Sequence, residues 1–392
     1  MNNLFLFSLL LWSTRLSPMD GSGNGLEIDT RIWQEHPRRY VTADLELPDF
    51  PPTLAVSADG QLAVPVPWKQ TVAIYTAEGE LLRELGGRGE GIGQFQRLSM
   101  VGWLGDTLWV ADQVSFRVTF FCPPDYEARA QEDPSGSLRS KRMRVPLPTA
   151  AGGWFSVRRT RNPPSDEAPE DEWVVIDPEW RATTSVLRLA PRPPRVEFRI
   201  TDSTAVSVEV QPFGFHRLYT FSPDGGSVTL ADRDRGLNGN GSWSYTLTRL
   251  TVDGDTVFRT VRSVDPVPLD EETRQVMIEH YVSLPVIQRS GLDVLTMRQK
   301  VAESVWFPEC HPPVTDVAVG VDGWTWVRRE DRWQGAVLWD TFDPSGRFDS
   351  TWELDRDIRH PTSFADGVWA AVREGGAVRL VRFSRNPPES VR

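Results

Sequence analysis

The chain repeats one order of apolar and polar positions along most of its length. In the first unit, the apolar residues 54–56 lead through Asp59 and Gly60 into the apolar residues 62–64. A second glycine turn at Glu78 and Gly79 then separates two further strand-like segments. Asp-Gly pairs supply the positive φ angles of tight hairpin turns. Alternation with a period of two residues buries one face of each strand. The pattern therefore predicts antiparallel sheets of four strands each.

Four more units repeat this order downstream. Their first turns contain Gly105-Asp106, Asp224-Gly225, Asp322-Gly323 and Asp366-Gly367. Residues 144–200 are interpreted as a degraded sixth unit, with strands at 154–157 and 185–189, an outermost strand at 196–200 and an exposed loop at 162–171. One such sheet cannot bury both of its faces, so neighbouring sheets must stack around an axis. The sequence predicts an all-β fold, a six-bladed β-propeller of four-stranded antiparallel sheets.

Two segments modify this ring. Residues 41–47 form an orphan strand before the first unit, and the last unit lacks an outermost strand. We expect the N-terminal strand to complete the last blade, because this removes an open sheet edge. Pro268 followed by acidic residues at 270–272 is typical of a helix start, which predicts one helical insertion over about residues 268–300.

The N-terminus predicts export. The apolar run 4–12 is too short to span a bilayer but has the length of a signal-peptide core. Residues 1–25 are therefore interpreted as a signal peptide and flexible spacer, and residues 26–392 as one propeller domain with no transmembrane segment. The alternative is a start at Met19 and an intracellular protein.

Charge and metal-binding residues narrow the function only a little. The net charge of −11 disfavours nucleic acid as a partner. The five histidines have no paired metal-ligand spacing, so neither a metal nor another cofactor is predicted. The alternative is calcium at an oxygen-rich loop comprising Asp232, Asp234, Asn238 and Asn240.

One unit carries a recognisable signature. Arg117 and the strand at 108–112 follow a glycine run that ends in Phe95, with glycines at 87, 89, 91 and 93. This resembles the NHL repeat, although Phe116 stands where that repeat usually has Asn. The chain is similar to the secreted six-bladed propeller proteins of bacteria, which are largely uncharacterised. The resemblance implies the fold and secretion but not an activity, because propellers carry many functions.

Geometry suggests where a ligand would bind. Loops after the second strand of each blade gather at one mouth of a propeller channel. The candidates in and beside these loops are Trp68, Lys69, Asp112, Arg117, Asp232, Arg233, Arg328, Arg329 and Trp333. Mixed Arg, Asp and Trp side chains suit a protein, peptide or glycan ligand. The alternative interpretation of the same residues is ion pairing between adjacent blades.

We therefore expect an exported, monomeric binding propeller without catalysis. Two alternatives stay open. One is a metal-dependent hydrolase or lyase with its site at the channel mouth. The other is an intracellular scaffold.

Overall fold

The computed structural model describes residues 51, 53–132, 143–159, 170–179, 183–191, 195–201, 204–210, 213–214, 217–233, 242–330, 337–354, 358–365, 367–374 and 377–384. Six antiparallel sheets form a ring, which confirms the predicted six-bladed β-propeller. Within each blade the strands pair in chain order, so the first strand is innermost and the last is outermost.

The first three blades precede an additional hairpin. Blade 1 contains β1 (Ala55–Val56), β2 (Leu62–Val66), β3 (Thr71–Tyr75) and β4 (Leu81–Gly86). Blade 2 contains β5 (Leu98–Leu104), β6 (Thr107–Asp112), β7 (Arg117–Cys122) and β8 (Glu127–Glu132). Blade 3 contains β9 (Leu147–Pro148), β10 (Trp154–Arg159), β11 (Glu170–Ile176) and β12 (Thr183–Pro191). The hairpin contains β13 (Arg195–Thr201) and β14 (Thr204–Val210).

Three helices separate the fourth and fifth blades. Blade 4 contains β15 (Leu218–Phe221), β16 (Ser227–Arg233), β17 (Trp243–Thr251) and β18 (Thr256–Val264). The helices are α1 (Glu271–Ser283), α2 (Pro285–Gln288) and α3 (Val294–Ser304). Blade 5 contains β19 (Asp316–Val319), β20 (Thr325–Glu330), β21 (Val337–Phe342) and β22 (Phe348–Leu354). Blade 6 contains β23 (Ile358–Phe364), β24 (Gly367–Glu374) and β25 (Ala377–Ser384).

The ring closes between the last blade and the first. The innermost strands β1 and β23 contact each other, as do β1 and β5 and the pair β19 and β23. The predicted closing strand at 41–47 lies outside the described residues, so its pairing with blade 6 stays a prediction.

Aromatic side chains fill the spaces between blades. The Phe155 ring of blade 3 lies 4.5 Å from the Phe221 ring of blade 4, centroid to centroid. Trp173, Trp339 and Trp369 are fully buried. Burial of such large apolar surfaces is the main force that holds stacked sheets together.

The sequence prediction for blade 3 is wrong in two places. Its outermost strand is β12, whereas residues 196–200 belong to β13, which pairs with β14 in a separate two-stranded sheet. The reason is that Val196 and Phe198 are buried against the helical insertion rather than against blade 3. Asp171, expected in an exposed loop, is a buried residue of β11; its neighbour Glu172 pairs across the ladder with Arg158.

The predicted helical insertion is present and consists of three helices. Asp270 caps α1 by accepting a hydrogen bond of 2.8 Å from the Thr273 N–H. Asp293 caps α3 in the same way through Thr296. Tyr281 and Val301 pack with Val196 and Phe198 of β13 in a separate apolar core. None of the helices in the described part of the chain is long and apolar enough to cross a bilayer.

Candidate functional site

A cavity of about 320 Å³ lies on the axis of the ring. It is lined by the innermost strands of all six blades, so it is the central channel of the propeller. One lining residue from each blade, in chain order, is Val56, Trp103, Val145, Phe221, Val319 and Thr362.

The two ends of the channel differ. At one end the innermost strands begin; we call it the strand-start mouth, and Arg144, Asp316 and His360 line the cavity there. At the other end each innermost strand turns into the second strand of its blade; we call it the hairpin mouth. Most charged lining residues are therefore at the strand-start mouth.

Blades 2 to 4 give the channel an aromatic wall. Its lining includes Met100, Phe155, Tyr219 and Phe221. Met100 is 40% exposed although it lies in an innermost strand. Trp109 also lines the channel although it belongs to the second strand, β6. It does so because Gly102 has no side chain: a Cβ there would lie 2.2 Å from the indole ring.

His360 occupies an unusual position in β23. Its φ of 53° lies in the left-handed region, which is uncommon for residues other than glycine. The pairing of β23 with β24 shifts register between Arg359 and Thr362, so His360 and Pro361 form a bulge. Pro361 has no N–H to donate to the ladder, and a bulge accommodates this. The bulge places His360 at the strand-start mouth.

The His360 ring is held by the chain that enters the first blade. Its side chain donates a hydrogen bond to the backbone of Pro51. Burial lowers the pKa of His360 below its ordinary 6.5, although the nearby Asp316 carboxylate acts in the opposite direction. The neutral imidazole therefore dominates at neutral pH. Because one ring nitrogen donates to Pro51, the other is an acceptor.

Asp316 begins β19 beside this histidine. Burial raises its pKa above 3.8, and the Val317 N–H together with the charges of His360, Arg359 and Arg328 partly offsets that effect. Asp316 pairs across the ladder with Arg328. The mouth thus combines a carboxyl group, an imidazole and arginines beside an apolar wall.

Two of the sequence-predicted site residues hold the connection between blades 1 and 2. The buried Asp112 carboxylate accepts hydrogen bonds from the N–H groups of Gln96, Val114 and Ser115. Although burial alone would raise it, these bonds hold the pKa of Asp112 below 3.8. Arg117 is 5% exposed and donates to three backbone carbonyl groups, those of Glu90, Gly91 and Gln94.

Three other candidates also make contacts within the fold. Asp232 pairs with Arg217. Arg233 donates to the Val314 carbonyl group over 2.9 Å, and burial lowers its pKa to about 10. Arg329 pairs with the buried Asp340 over 2.9 Å.

The remaining candidates are spread over the ring. Trp68 is 43% exposed, and Lys69 pairs with Glu84 over 3.3 Å on the outside of blade 1. Arg328 is buried and faces Asp316. Trp333 lies outside the described residues. Of the nine candidates, the structure therefore brings only Arg328 to the Asp316 and His360 pair; whether the others bind a ligand stays a prediction.

Asp316, His360 and Arg144 are not among the site residues predicted from the sequence. One signal was available in the sequence. Pro361 lies in the middle of an innermost strand and requires a bulge, which changes the direction of the His360 side chain. In the described part of the chain, no group of three or more His, Cys, Asp or Glu side chains is arranged to hold a metal ion. Asp234, Asn238 and Asn240 of the suggested calcium loop lie outside it, so that suggestion stays untested.

No protein-family model matches the chain, and no curated protein matches it. Among solved structures, a member of the DUF4221 family from Bacteroides vulgatus is 7% identical, with a TM-score of 0.48 over 91% of this chain and 96% of that one. Regucalcin, a calcium-binding protein from Agrobacterium tumefaciens, is 10% identical, with a TM-score of 0.40 over 92% and 98% of the two chains. A gluconolactonase from Xanthomonas campestris is 12% identical, with a TM-score of 0.40 over 91% and 88%. At such low identity these likenesses concern the fold alone.

Proposed function

We propose that the protein is a binding propeller that takes part of its ligand into the central channel through the strand-start mouth. The observation that carries the proposal is the cavity of about 320 Å³, with a largely apolar, aromatic wall and polar side chains at one end. Ligand sites in proteins are typically concave, roughly 300–1,000 Å³ in volume, and mostly apolar with a few polar groups that fix orientation. The channel has this composition.

The wall favours a particular kind of ligand group. The half-buried Tyr219 and Phe221 offer aromatic surface, whereas the His360 acceptor nitrogen and the Asp316 carboxyl group lie at the mouth. An amphiphilic group satisfies both surfaces: its apolar part lies in the channel and its polar part stays at the mouth. The apolar side chain of a peptide or protein segment fits this description better than a glycan, whose hydroxyl groups would lose their water against the apolar wall.

Channel binding can be tested with a neutral apolar dye. N-phenyl-1-naphthylamine fluoresces when it leaves water, so a titration measures its affinity for the protein. The variant Met100→Trp should block the channel without disturbing the core, because Met100 is 40% exposed in the cavity. The control is Val261→Trp, at a position 61% exposed on the outermost strand β18.

We expect Met100→Trp to abolish most of the dye fluorescence and Val261→Trp to leave it close to wild type. Equal binding by the wild-type protein and Met100→Trp would place the dye elsewhere and remove the channel from consideration. Melting temperatures of both variants show whether they fold.

We also propose export and a monomeric state. The support for export is the apolar run at residues 4–12, which lies outside the described residues. Mass spectrometry of the protein from its native source would show a mature chain without residues 1–25. A full-length chain in the cytosol would favour the scaffold alternative, and sedimentation equilibrium decides the oligomeric state.

One observation favours the hydrolase or lyase alternative. His360 has a lowered pKa, lies in a strained bulge and lines a cavity beside Asp316. Perturbed pKa values inside clefts are enriched at catalytic sites. Hydrolysis of p-nitrophenyl esters, measured with and without a chelator, tests hydrolase activity; turnover that survives His360→Asn would exclude this residue from it.

A further inference from the structure

Arginines recur where the innermost strands begin. Arg97 directly precedes β5, and Arg217 directly precedes β15. Arg144 leads into β9 and already pairs with β10, since its N–H donates to the Val157 carbonyl group over 3.0 Å. Arg359 is the second residue of β23. Because all these strands begin at the same end of the channel, four of the six blades place an arginine around the strand-start mouth.

Two of these arginines retain an exposed positive charge. The side chains of Arg97 and Arg144 are exposed, and within the described ranges neither has an ion-pair partner. Arg217 is paired with Asp232. The positive charges of Arg328 and Arg359 act on the Asp316 carboxylate and offset its negative charge. The described part of this mouth is therefore basic, although the whole chain carries a net charge of −11.

The hairpin mouth is richer in aspartate, although the charge of Arg249 offsets part of that of Asp224 and Asp322. Four of its first turns contain an aspartate: Asp59, Asp106, Asp224 and Asp322. The channel therefore runs from an arginine-rich end to an aspartate-rich end. Rings of arginine favour anions in narrow passages, and clefts with apolar walls concentrate the field of such rings.

We propose that the group taken into the channel belongs to an organic anion, with a carboxylate, phosphate or sulfonate head beside Arg97 and Arg144 and an apolar body along Met100, Tyr219 and Phe221. The head is held by charge-assisted hydrogen bonds from guanidinium groups, which are the strongest class available at a protein surface. The body replaces water along the aromatic wall. This inference rests on the proposed channel binding and adds the charge of the ligand.

Two dyes that differ in charge distinguish the anion preference from channel binding itself. 8-Anilinonaphthalene-1-sulfonate has the same ring system as N-phenyl-1-naphthylamine but carries a sulfonate group. We expect the wild-type protein to bind the sulfonate dye roughly tenfold more tightly than the neutral one, and less so at high salt. The double variant Arg97→Gln with Arg144→Gln should remove most of that difference, measured as the ratio of the affinities for the two dyes.

The control is the double variant Arg129→Gln with Arg259→Gln. Both positions are exposed on outermost strands, and the variant removes the same net charge. Equal loss of sulfonate-dye affinity in the two double variants would overturn the inference, because net charge alone would then explain it. Sulfonate-dye binding that Met100→Trp leaves intact would also overturn it, since the anion would bind outside the channel.

The preference for an anion and the binding in the channel can be refuted independently of each other. If Met100→Trp abolishes neutral-dye binding but the wild-type protein shows no preference for the sulfonate, channel binding stands and the anion inference fails. Displacement of the bound sulfonate dye by octanoate or by octyl phosphate, with octanol as the neutral competitor, distinguishes a carboxylate head from a phosphate head. Displacement by octanol as efficient as by either anion would count against the inference.

Discussion

The Nε atom of Arg329 lies 2.9 Å from an Oδ2 atom of Asp340 that is completely buried. The same carboxylate accepts hydrogen bonds from the Arg262 guanidinium over 2.7 Å and from the Tyr245 hydroxyl group over 2.6 Å. Arg262 and Tyr245 belong to blade 4, whereas Arg329 and Asp340 belong to blade 5. Arg329, which the sequence suggested for ligand binding, thus belongs to a buried network of ion pairs and hydrogen bonds that joins two blades.

Asp340→Asn should strongly destabilise the protein. It leaves two arginines without their counter-charge, and breaking a buried ion pair costs about 3–5 kcal/mol. Urea denaturation measures the free energy of unfolding. The control is Glu279→Gln, which removes an exposed pair with Arg298 and should cost at most about 1 kcal/mol. Equal stabilities of the two variants would show that the Asp340 network does not stabilise the contact between blades 4 and 5.

Arg117→Ala should act on stability rather than on dye binding. Arg117 is 5% exposed and satisfies three carbonyl groups of the connection between blades 1 and 2. We expect a loss of about 2–4 kcal/mol, since hydrogen bonds to charged groups contribute about 1.5–3 kcal/mol each and are only partly replaced by water. Arg97→Ala, at an exposed position, should change stability by about 0.5 kcal/mol or less. A variant of Arg117 that melts like the wild-type protein but loses dye affinity would reverse this assignment.

Two matched glycines test the packing between blades. Gly254 and Gly346 occupy the third-to-fourth strand turns of adjacent blades, with φ values of 87° and 80°. A Cβ at Gly346 would lie 2.4 Å from the Phe258 ring, whereas at Gly254 the nearest atom is 4.0 Å away. Both alanine variants should lose about 1–2 kcal/mol of stability, because a residue with a Cβ disfavours the left-handed backbone conformation. Gly346→Ala should cost a further 1–3 kcal/mol or so from overpacking, which differential scanning calorimetry would detect as a lower Tm than that of Gly254→Ala.

The repeated turns made most of the fold predictable. Asp59-Gly60, Asp224-Gly225 and Asp322-Gly323 each lie between the first and second strands of a blade, where local turn chemistry decides the structure. Blade 3 was harder because the turn after its innermost strand β9 contains no Asp-Gly pair. Val196 and Phe198 alternate like blade strands, yet their burial partners lie about 80 residues further along the chain in the helices.

The candidate site was less predictable than the fold. Asp112 and Arg117 have the composition of a binding loop, and nothing local in the sequence reveals that backbone groups of another connection satisfy them. Asp316 and His360 are 44 residues apart and meet only because the ring places blades 5 and 6 side by side. Such proximity follows from long-range packing rather than from spacing in the sequence.

His360 should make stability depend on pH near neutrality. Its pKa is lowered in the folded protein, so the unfolded chain binds the proton more readily. The free energy of unfolding should therefore fall as pH drops below about 6.5 and level off below the folded pKa. Asp316, whose pKa is raised, acts in the opposite direction: stability falls as pH rises from 3.8 towards its folded pKa.

The variant His360→Asn isolates the histidine contribution, because Asn tolerates a positive φ. Its Tm should fall less than that of the wild-type protein between about pH 7.5 and about pH 5. The control is Gln275→Asn on the exposed side of α1, which removes no titratable group and should retain the wild-type profile. Parallel profiles for the wild-type protein and His360→Asn would show that this ring does not titrate as the structure implies.

A crystal structure of the protein with bound 8-anilinonaphthalene-1-sulfonate tests the central claim most directly. We expect one dye molecule in the channel, with its rings against Tyr219 and Phe221 and its sulfonate directed towards Arg144. The alternative apolar surface is on the helical insertion, where Leu295 is 74% exposed and Trp306 is 51% exposed. Dye bound at the insertion with no density in the channel would contradict the proposed binding site.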